Sequence, residues 1–167
     1  MRNVAIISFA QLPGVRCEPE RNDVEMAVPV ITEAFEKSSL ESGDIGFTIS
    51  GSTDFLSGIP FSFVHALDAA APWPPIPESH VEMDGAWALY EAWVRLQHGD
   101  IDTALVYSFG KSSTPDDLVD VMTMQLDPYC VVPLWPDSIS VAALQARALL
   151  DSGDFTERDF AEVAVRS

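Results

Sequence analysis

Val81-Glu82-Met83-Asp84-Gly85-Ala86-Trp87-Ala88-Leu89 and, a few residues on, His98-Gly99-Asp100-Ile101-Asp102-Thr103-Ala104-Leu105-Val106-Tyr107-Ser108-Phe109 decide the fold class of this chain. His80 to Met83 reads as a brief extended piece. Asp84 to His98 reads as a helix so rich in Trp87, Leu89, Tyr90, Trp93, Val94 and Leu96 that burial on most sides is expected. Gly99 closes that helix, since glycine takes the left-handed cap conformation without steric cost. Thr103 to Phe109 is then a continuous apolar run with β-branched residues, the mark of a strand covered on both faces. Strand, helix and strand in that order make a crossover unit.

The pattern extends toward the N-terminus. Val4 to Phe9 is a second short apolar run and is predicted to be a buried strand, followed by a loop through Gly14 and Arg16 to Asp23. Glu25 to Ser38 is predicted to be helical, with Val28, Ile31, Ala34 and Phe35 on one face; Pro29 fits only within a first turn, because it has no N–H to donate. Ile45 to Ser50 is the next strand. Ala70 to Pro77 carries four prolines and reads as a stiff connector. Leu40-Glu41-Ser42-Gly43-Asp44, Leu96-Gln97-His98-Gly99-Asp100 and Leu150-Asp151-Ser152-Gly153-Asp154 look alike, and read as three independent helix C-caps. Lys111 to Asp137, with its Pro, Asp and Met content, is expected to be a long surface excursion. Thr156, with Asp159 three residues later, starts a last helix.

With 167 residues, 47% of them apolar, the chain can bury one sizeable core. Asp and Glu number 26 against 9 Lys and Arg, for a net charge of −17. No basic cluster is available to neutralise a phosphate backbone, so nucleic acid is not an expected partner. The same balance disfavours an anionic membrane surface. No apolar run approaches the roughly 20 residues of a spanning helix, and membrane insertion is not expected. Cys17 and Cys130 are too few and too far apart for a disulfide framework or a zinc site; no metal is expected, and a reducing cytoplasm fits best. No His lies next to either cysteine in sequence, and both are read as inert.

The Gly85, Ala88, Leu89 helix, the Gly99-Asp100 turn, the apolar strand and Gly110-Lys111-Ser112 together resemble the nucleophile helix and following strand of the thiolase superfamily. The resemblance is to its sterol carrier and lipid-transfer branch, and it continues through Ala142 to Arg166. It implies a thiolase-like α/β fold: a mixed sheet with helices on both faces over residues 1–110, then part of a loop subdomain over 111–167, with a C-terminal half supplied elsewhere. On this alignment the position of the thiolase cysteine falls at Glu82, and neither cysteine lies nearby. A carboxylate cannot hold an acyl group by the thiolate mechanism. Members of the branch without that cysteine include aldolases that cleave β-hydroxyacyl-CoA and pair with a small OB-fold partner, so the resemblance implies acyl-CoA thioesters of lipid or steroid-derived acids as substrates. It requires no cofactor beyond the CoA of the substrate, and it implies a homodimer through the thiolase core. A non-catalytic subunit that binds acyl-CoA or scaffolds a partner is the competing reading.

Glu82, Asp84 and His80 are the catalytic candidates. Asp84 reads first as the N-cap of the helix; the functional alternative is that these carboxylates face the pocket vacated by the cysteine and accept a proton from a hydroxyacyl substrate, with His80 as their neighbour. His65 is expected in the core or at an interface, and His98 as a cation at a helix C-terminus. Gly51-Ser52-Thr53-Asp54 is either a ligand loop at the carboxyl end of a strand or an ordinary turn, and the resemblance places it at a dimer interface. Met122, Met124 and Trp135 suit an acyl or sterol pocket, or simply cover the core.

Overall fold

The computed structural model describes residues 1–58, 61, 63–71, 76–114 and 117–167. It divides into two compact units, Met1–Asp116 and Asp117–Ser167. The first contains helix α1 (Asp23–Ser38), strand β1 (Phe47–Ser52), helix α2 (Phe63–Ala70), strand β2 (Glu78–Glu82), helix α3 (Gly85–His98) and strand β3 (Ala104–Ser108). The second contains α4 (Leu118–Thr123), α5 (Ser138–Ser152) and α6 (Glu157–Arg166).

The α/β class expected from the alternating pattern is what the first unit shows. Its strands lie in the order β2-β1-β3. Both pairings are parallel, so the described strands form a parallel sheet and not the expected mixed one. Helices cover both faces, because alternate residues of a strand point to opposite sides. Phe47 and Ile49 of β1 pack with Ala88 and Ala92 of α3, and Val81 and Val106 close around them. Each fully buried Phe or Ile of this kind contributes about 1.5–3 kcal/mol of hydrophobic stabilisation. Alanine at positions 88 and 92 lets the helix lie close on the sheet. On the other face, Tyr107 packs with Ala66, Ala69 and Ala70 of α2 and with Ala27 and Ile31 of α1.

Several expectations are corrected. Val4 to Phe9 forms no strand: Ile6, Ile7 and Phe9 are 74%, 62% and 69% exposed. An apolar run supplies propensity, but a strand exists only where an edge supplies hydrogen bonds, and this segment pairs with neither outer strand. Its ends are held by polar contacts instead. Arg2 donates to the carbonyls of Leu96 and Ile101 and pairs with Asp102, and Lys37 Nζ donates to the Phe9 carbonyl. Pro29 lies inside α1 beyond its first turn. It is tolerated because it and Glu25 are exposed, so the carbonyl that loses an N–H partner meets water. Val28 is exposed, and Ala27 joins Ile31 as the buried pair of the helix.

Of the three glycine marks, Gly99 and Gly153 are left-handed C-caps, with φ of 81° and 79°. Gly43 is not: α1 has already ended at Ser39, itself left-handed at φ 60°, and Gly43 sits in a 3-10 turn, Ser42–Asp44. The α3 helix is not buried on most sides. Ala88 and Ala92 face the sheet, while Trp87, Leu89 and Tyr90 are 50%, 46% and 57% exposed on its outer side. An apolar residue count cannot distinguish a helix buried all round from one that covers a single sheet face.

In the second unit the long excursion contains α4 and a 3-10 turn, Val132–Leu134. Helix α6 begins as expected, with Thr156 and Asp159 in a reciprocal capping box. Of the proline-rich connector, Pro72 to Pro75 lie outside the described residues.

Candidate functional site

The strand that runs down the middle of the sheet is unusual on its α2 face. Thr48, Ser50 and Ser52 all point that way, opposite Phe47 and Ile49, and each is at most 3% exposed. Buried hydroxyls need partners; Ser50 finds one across the parallel register and Ser52 in Asp54, whereas Thr48 Oγ1 is buried without one among the described residues. Ser50 stands between His80 of β2 and Tyr107 of β3, and Ser52 stands beside Glu82. Three side chains in a row, His80, Ser50 and Tyr107, therefore cross the sheet beneath α2. Ser50 Oγ and His80 Nδ1 share a hydrogen bond of 3.0 Å. Burial pushes the Tyr107 hydroxyl above its ordinary pKa, opposed in part by a hydrogen bond with Ser50; the hydroxyl also donates weakly to the Ala66 carbonyl, 3.4 Å away.

The His80 ring is fixed by more than Ser50. It stacks on Phe63, the first residue of α2, with centroids 4.1 Å apart and planes 10° from parallel. Its other nitrogen, Nε2, is buried without a hydrogen-bond partner and lies 3.5 Å from Glu82 Oε2. A buried polar atom left in this state costs about 1–3 kcal/mol.

The turn that follows β1 brings in a third group. Asp54, 5% exposed, begins a 3-10 turn, Asp54–Ser57, and its backbone N–H donates to Glu82 Oε1 at 2.8 Å. Its carboxylate accepts from Ser52 Oγ at 2.5 Å and from the Phe63 N–H at 3.2 Å. One donor atom from each of Asp54, His80 and Glu82 lies within 4.8 Å of the other two. The cluster sits at the carboxyl ends of parallel strands, where open α/β folds place their ligands.

The junction is packed tightly from below. Gly51 has no side chain because the Asp84 backbone passes over it: a Cβ there would stand 2.4 Å from the Asp84 carbonyl oxygen. A Cβ on Gly85 would meet Ser108 Cβ at 2.7 Å. Asp84 is in extended conformation, and its Oδ1 accepts from the Ala86 and Trp87 N–H groups at 2.9 and 3.3 Å. It serves as the helix cap, and Thr53 Oγ1 ties the neighbouring Met83 carbonyl to the β1 turn.

Thus the structure brings His80 and Glu82 together and commits one oxygen of Asp84 to capping. Asp54, which the sequence placed only in a generic ligand loop or turn, joins them. Ser50, Phe63 and Tyr107 were not anticipated as its supports; the one sequence signal was a strand with hydroxyls at every second position, 48, 50 and 52.

The remaining candidates lie elsewhere. Met122 lines a hollow of about 110 Å³ in the second unit together with Thr123, Leu126, Pro136, Ser138 and Val141. That is below the ~300 Å³ at which pockets for drug-sized ligands begin. Met124 and Trp135 are not among its lining residues; both are exposed, and Trp135 Nε1 donates to Asp120 Oδ1 at 2.8 Å. His65 is exposed on α2 and lines a second hollow with Asn22, Asp23, Val24 and Asp68. His98 closes α3 in its last turn, and both cysteines are free and exposed. No helix among the described residues is long and apolar enough to cross a membrane.

No protein-family model matches the chain, and no curated protein matches it.

Proposed function

We propose that this chain is the N-terminal α/β part of a thiolase-like protein of the sterol carrier and lipid-transfer branch, acting on lipid or steroid-derived acyl-CoA thioesters by retro-aldol cleavage of a β-hydroxyacyl-CoA. One observation carries the reading. The β2–α3 junction, where the resemblance would put a nucleophilic cysteine, instead carries a carboxylate beside a fixed imidazole, with a second carboxylate within 4.8 Å. Such a site can move a proton but cannot form a thioester.

In the proposed step a carboxylate, Glu82 by preference because its side chain is half-exposed, accepts the proton of the substrate's β-hydroxyl. The Cα–Cβ bond breaks as the β-carbon becomes a ketone carbonyl, and the electron pair moves into the thioester as an enolate. Protonation of the enolate at Cα gives the shortened acyl-CoA. His80, held by Ser50 and Phe63, positions the Glu82 carboxylate. Asp84 retains its capping role. A homodimer and a small OB-fold partner subunit belong to the same proposal.

The exposed Trp87, Leu89 and Tyr90 on the outer side of α3 favour a second reading, a non-catalytic subunit whose aromatic face docks a partner. To separate the two, the full chain, alone and with any subunits that co-purify, is incubated with β-hydroxyacyl-CoA esters of several acyl groups. Released ketone and shortened acyl-CoA, lost in Glu82→Gln, support the lyase. Acyl-CoA binding without cleavage supports a non-catalytic subunit, and failure to bind any acyl-CoA overturns the lyase and leaves only the partner-docking reading.

A further inference from the structure

We infer that Asp54, His80 and Glu82 form a binding site for a divalent transition-metal ion of the zinc class, with His80 Nε2 and one oxygen from each carboxylate as ligands. This assignment uses no property of a substrate, but it draws on the same Glu82 and His80 as the acyl-CoA reading, and with the ion bound Glu82 is a ligand and not a free base.

His80 is the fixed point of the cluster. Stacking on Phe63 and the hydrogen bond between Nδ1 and Ser50 leave the ring one orientation, and that orientation directs Nε2 at two carboxylates and away from water. Metal-binding histidines are held in this manner, with the non-ligating nitrogen engaged by a second group that sets ring orientation and tautomer. The carboxylates are held too. Asp54 accepts from Ser52 and Phe63, and Glu82 accepts from the Asp54 N–H. Each carboxylate oxygen has two lone pairs, so a bond to a protein donor does not by itself bar a cation.

Donor type and spacing agree. One imidazole nitrogen with two carboxylate oxygens suits zinc and its neighbours in the first transition row, whereas magnesium and calcium take oxygen ligands. Two ligands at about 2.0–2.1 Å from a tetrahedral ion stand about 3.3 Å apart. His80 Nε2 and Glu82 Oε2 stand 3.5 Å apart. The set spans up to 4.8 Å, so binding draws the three groups together by small side-chain rotations, with Glu82, 52% exposed against 13% for His80, having the most room to adjust. With three protein ligands the fourth position of a tetrahedral ion is left to water or a ligand. The sequence offered no sign of such a site, because the usual signs are closely spaced cysteines and histidines, and here the ligands are 26 and 28 residues from Asp54.

The probe is Zn²⁺ itself, added to the chelator-stripped full chain and followed by competition with a chromophoric chelator; Co²⁺ substitution reports coordination by its visible absorption. One tight equivalent is expected, together with cobalt bands of four- or five-coordinate intensity. Glu82→Gln and His80→Ala are each expected to weaken binding at least about tenfold. Ser50→Ala, which removes the support of Nδ1 together with the hydrogen bond to Tyr107 and touches none of the ligand atoms, should weaken it by about 10–100-fold. Glu82→Gln keeps side-chain shape at a half-exposed position, so it tests the site even where His80→Ala does not fold. Weak binding of several equivalents, unchanged by Glu82→Gln, would assign the metal to the many surface carboxylates and overturn the proposal, as would the absence of binding.

Discussion

Substituting Gly51 by alanine tests the packing on which the candidate site rests. Gly51 lies in the central strand, and its φ is not in the left-handed region, so the backbone itself would accept alanine. The obstacle is space. The new Cβ would sit 2.4 Å from the Asp84 carbonyl oxygen, 2.6 Å from its carbon and 3.0 Å from the Gly85 nitrogen, where ordinary contact begins at 3.4 Å. All three neighbours are backbone atoms of the β2–α3 junction, so no side chain can swing aside. Overpacking of this kind costs about 1–3 kcal/mol, with larger values where relaxation is blocked. We expect about 3 kcal/mol, a large part of the 5–15 kcal/mol that stabilises a typical domain. At a urea dependence of about 1.5 kcal/mol per molar, the unfolding midpoint should fall by about 2 M. Tryptophan fluorescence in a Trp135→Phe background restricts the signal to residues 1–116, which hold the other three tryptophans. Gly110→Ala is the control, since its Cβ would meet nothing within 4 Å, and it should shift stability by no more than about 0.5 kcal/mol. A Gly51→Ala midpoint indistinguishable from that of Gly110→Ala would refute the close approach of the junction to β1, and with it the placement of Glu82.

Two further outcomes follow from the same geometry. Asp84→Ala removes the acceptor for the Ala86 and Trp87 N–H groups and should cost about 1 kcal/mol in urea unfolding, whereas Asp84→Asn keeps an acceptor oxygen and should cost much less; equal losses in the two variants would contradict the capping role. Tyr107, whose burial raises its pKa above the ordinary 10.0, ionises more readily in the unfolded chain, so stability is unaffected below pH 10 and is lost as pH rises from there through the folded value. Tyr107→Phe should flatten that alkaline loss in a pH series of thermal midpoints, and an unchanged alkaline slope would count against the buried hydroxyl.

What the sequence determined by itself was local. Asp84 and Gly99 bracket α3, Thr156 starts α6, and the apolar runs near positions 45 and 103 become β1 and β3, because caps and short β-branched runs act on neighbours within a turn or two. The same local logic placed His80 and Glu82 two residues apart at a strand end, which left them on one face of the sheet. Only the tertiary structure decided the rest. Parallel strands are joined by crossovers, so neither their order nor their register is written in any short window. It was the pairing of Ser50 with His80 and Ser52 with Glu82 that carried Asp54 to the cluster, across 26 residues of chain. The same long-range pairing left Val4 to Phe9 without a strand partner despite its propensity, and put the aromatic side of α3 at the surface, because hydrogen-bonded edges and helix-covered faces are properties of the assembled sheet.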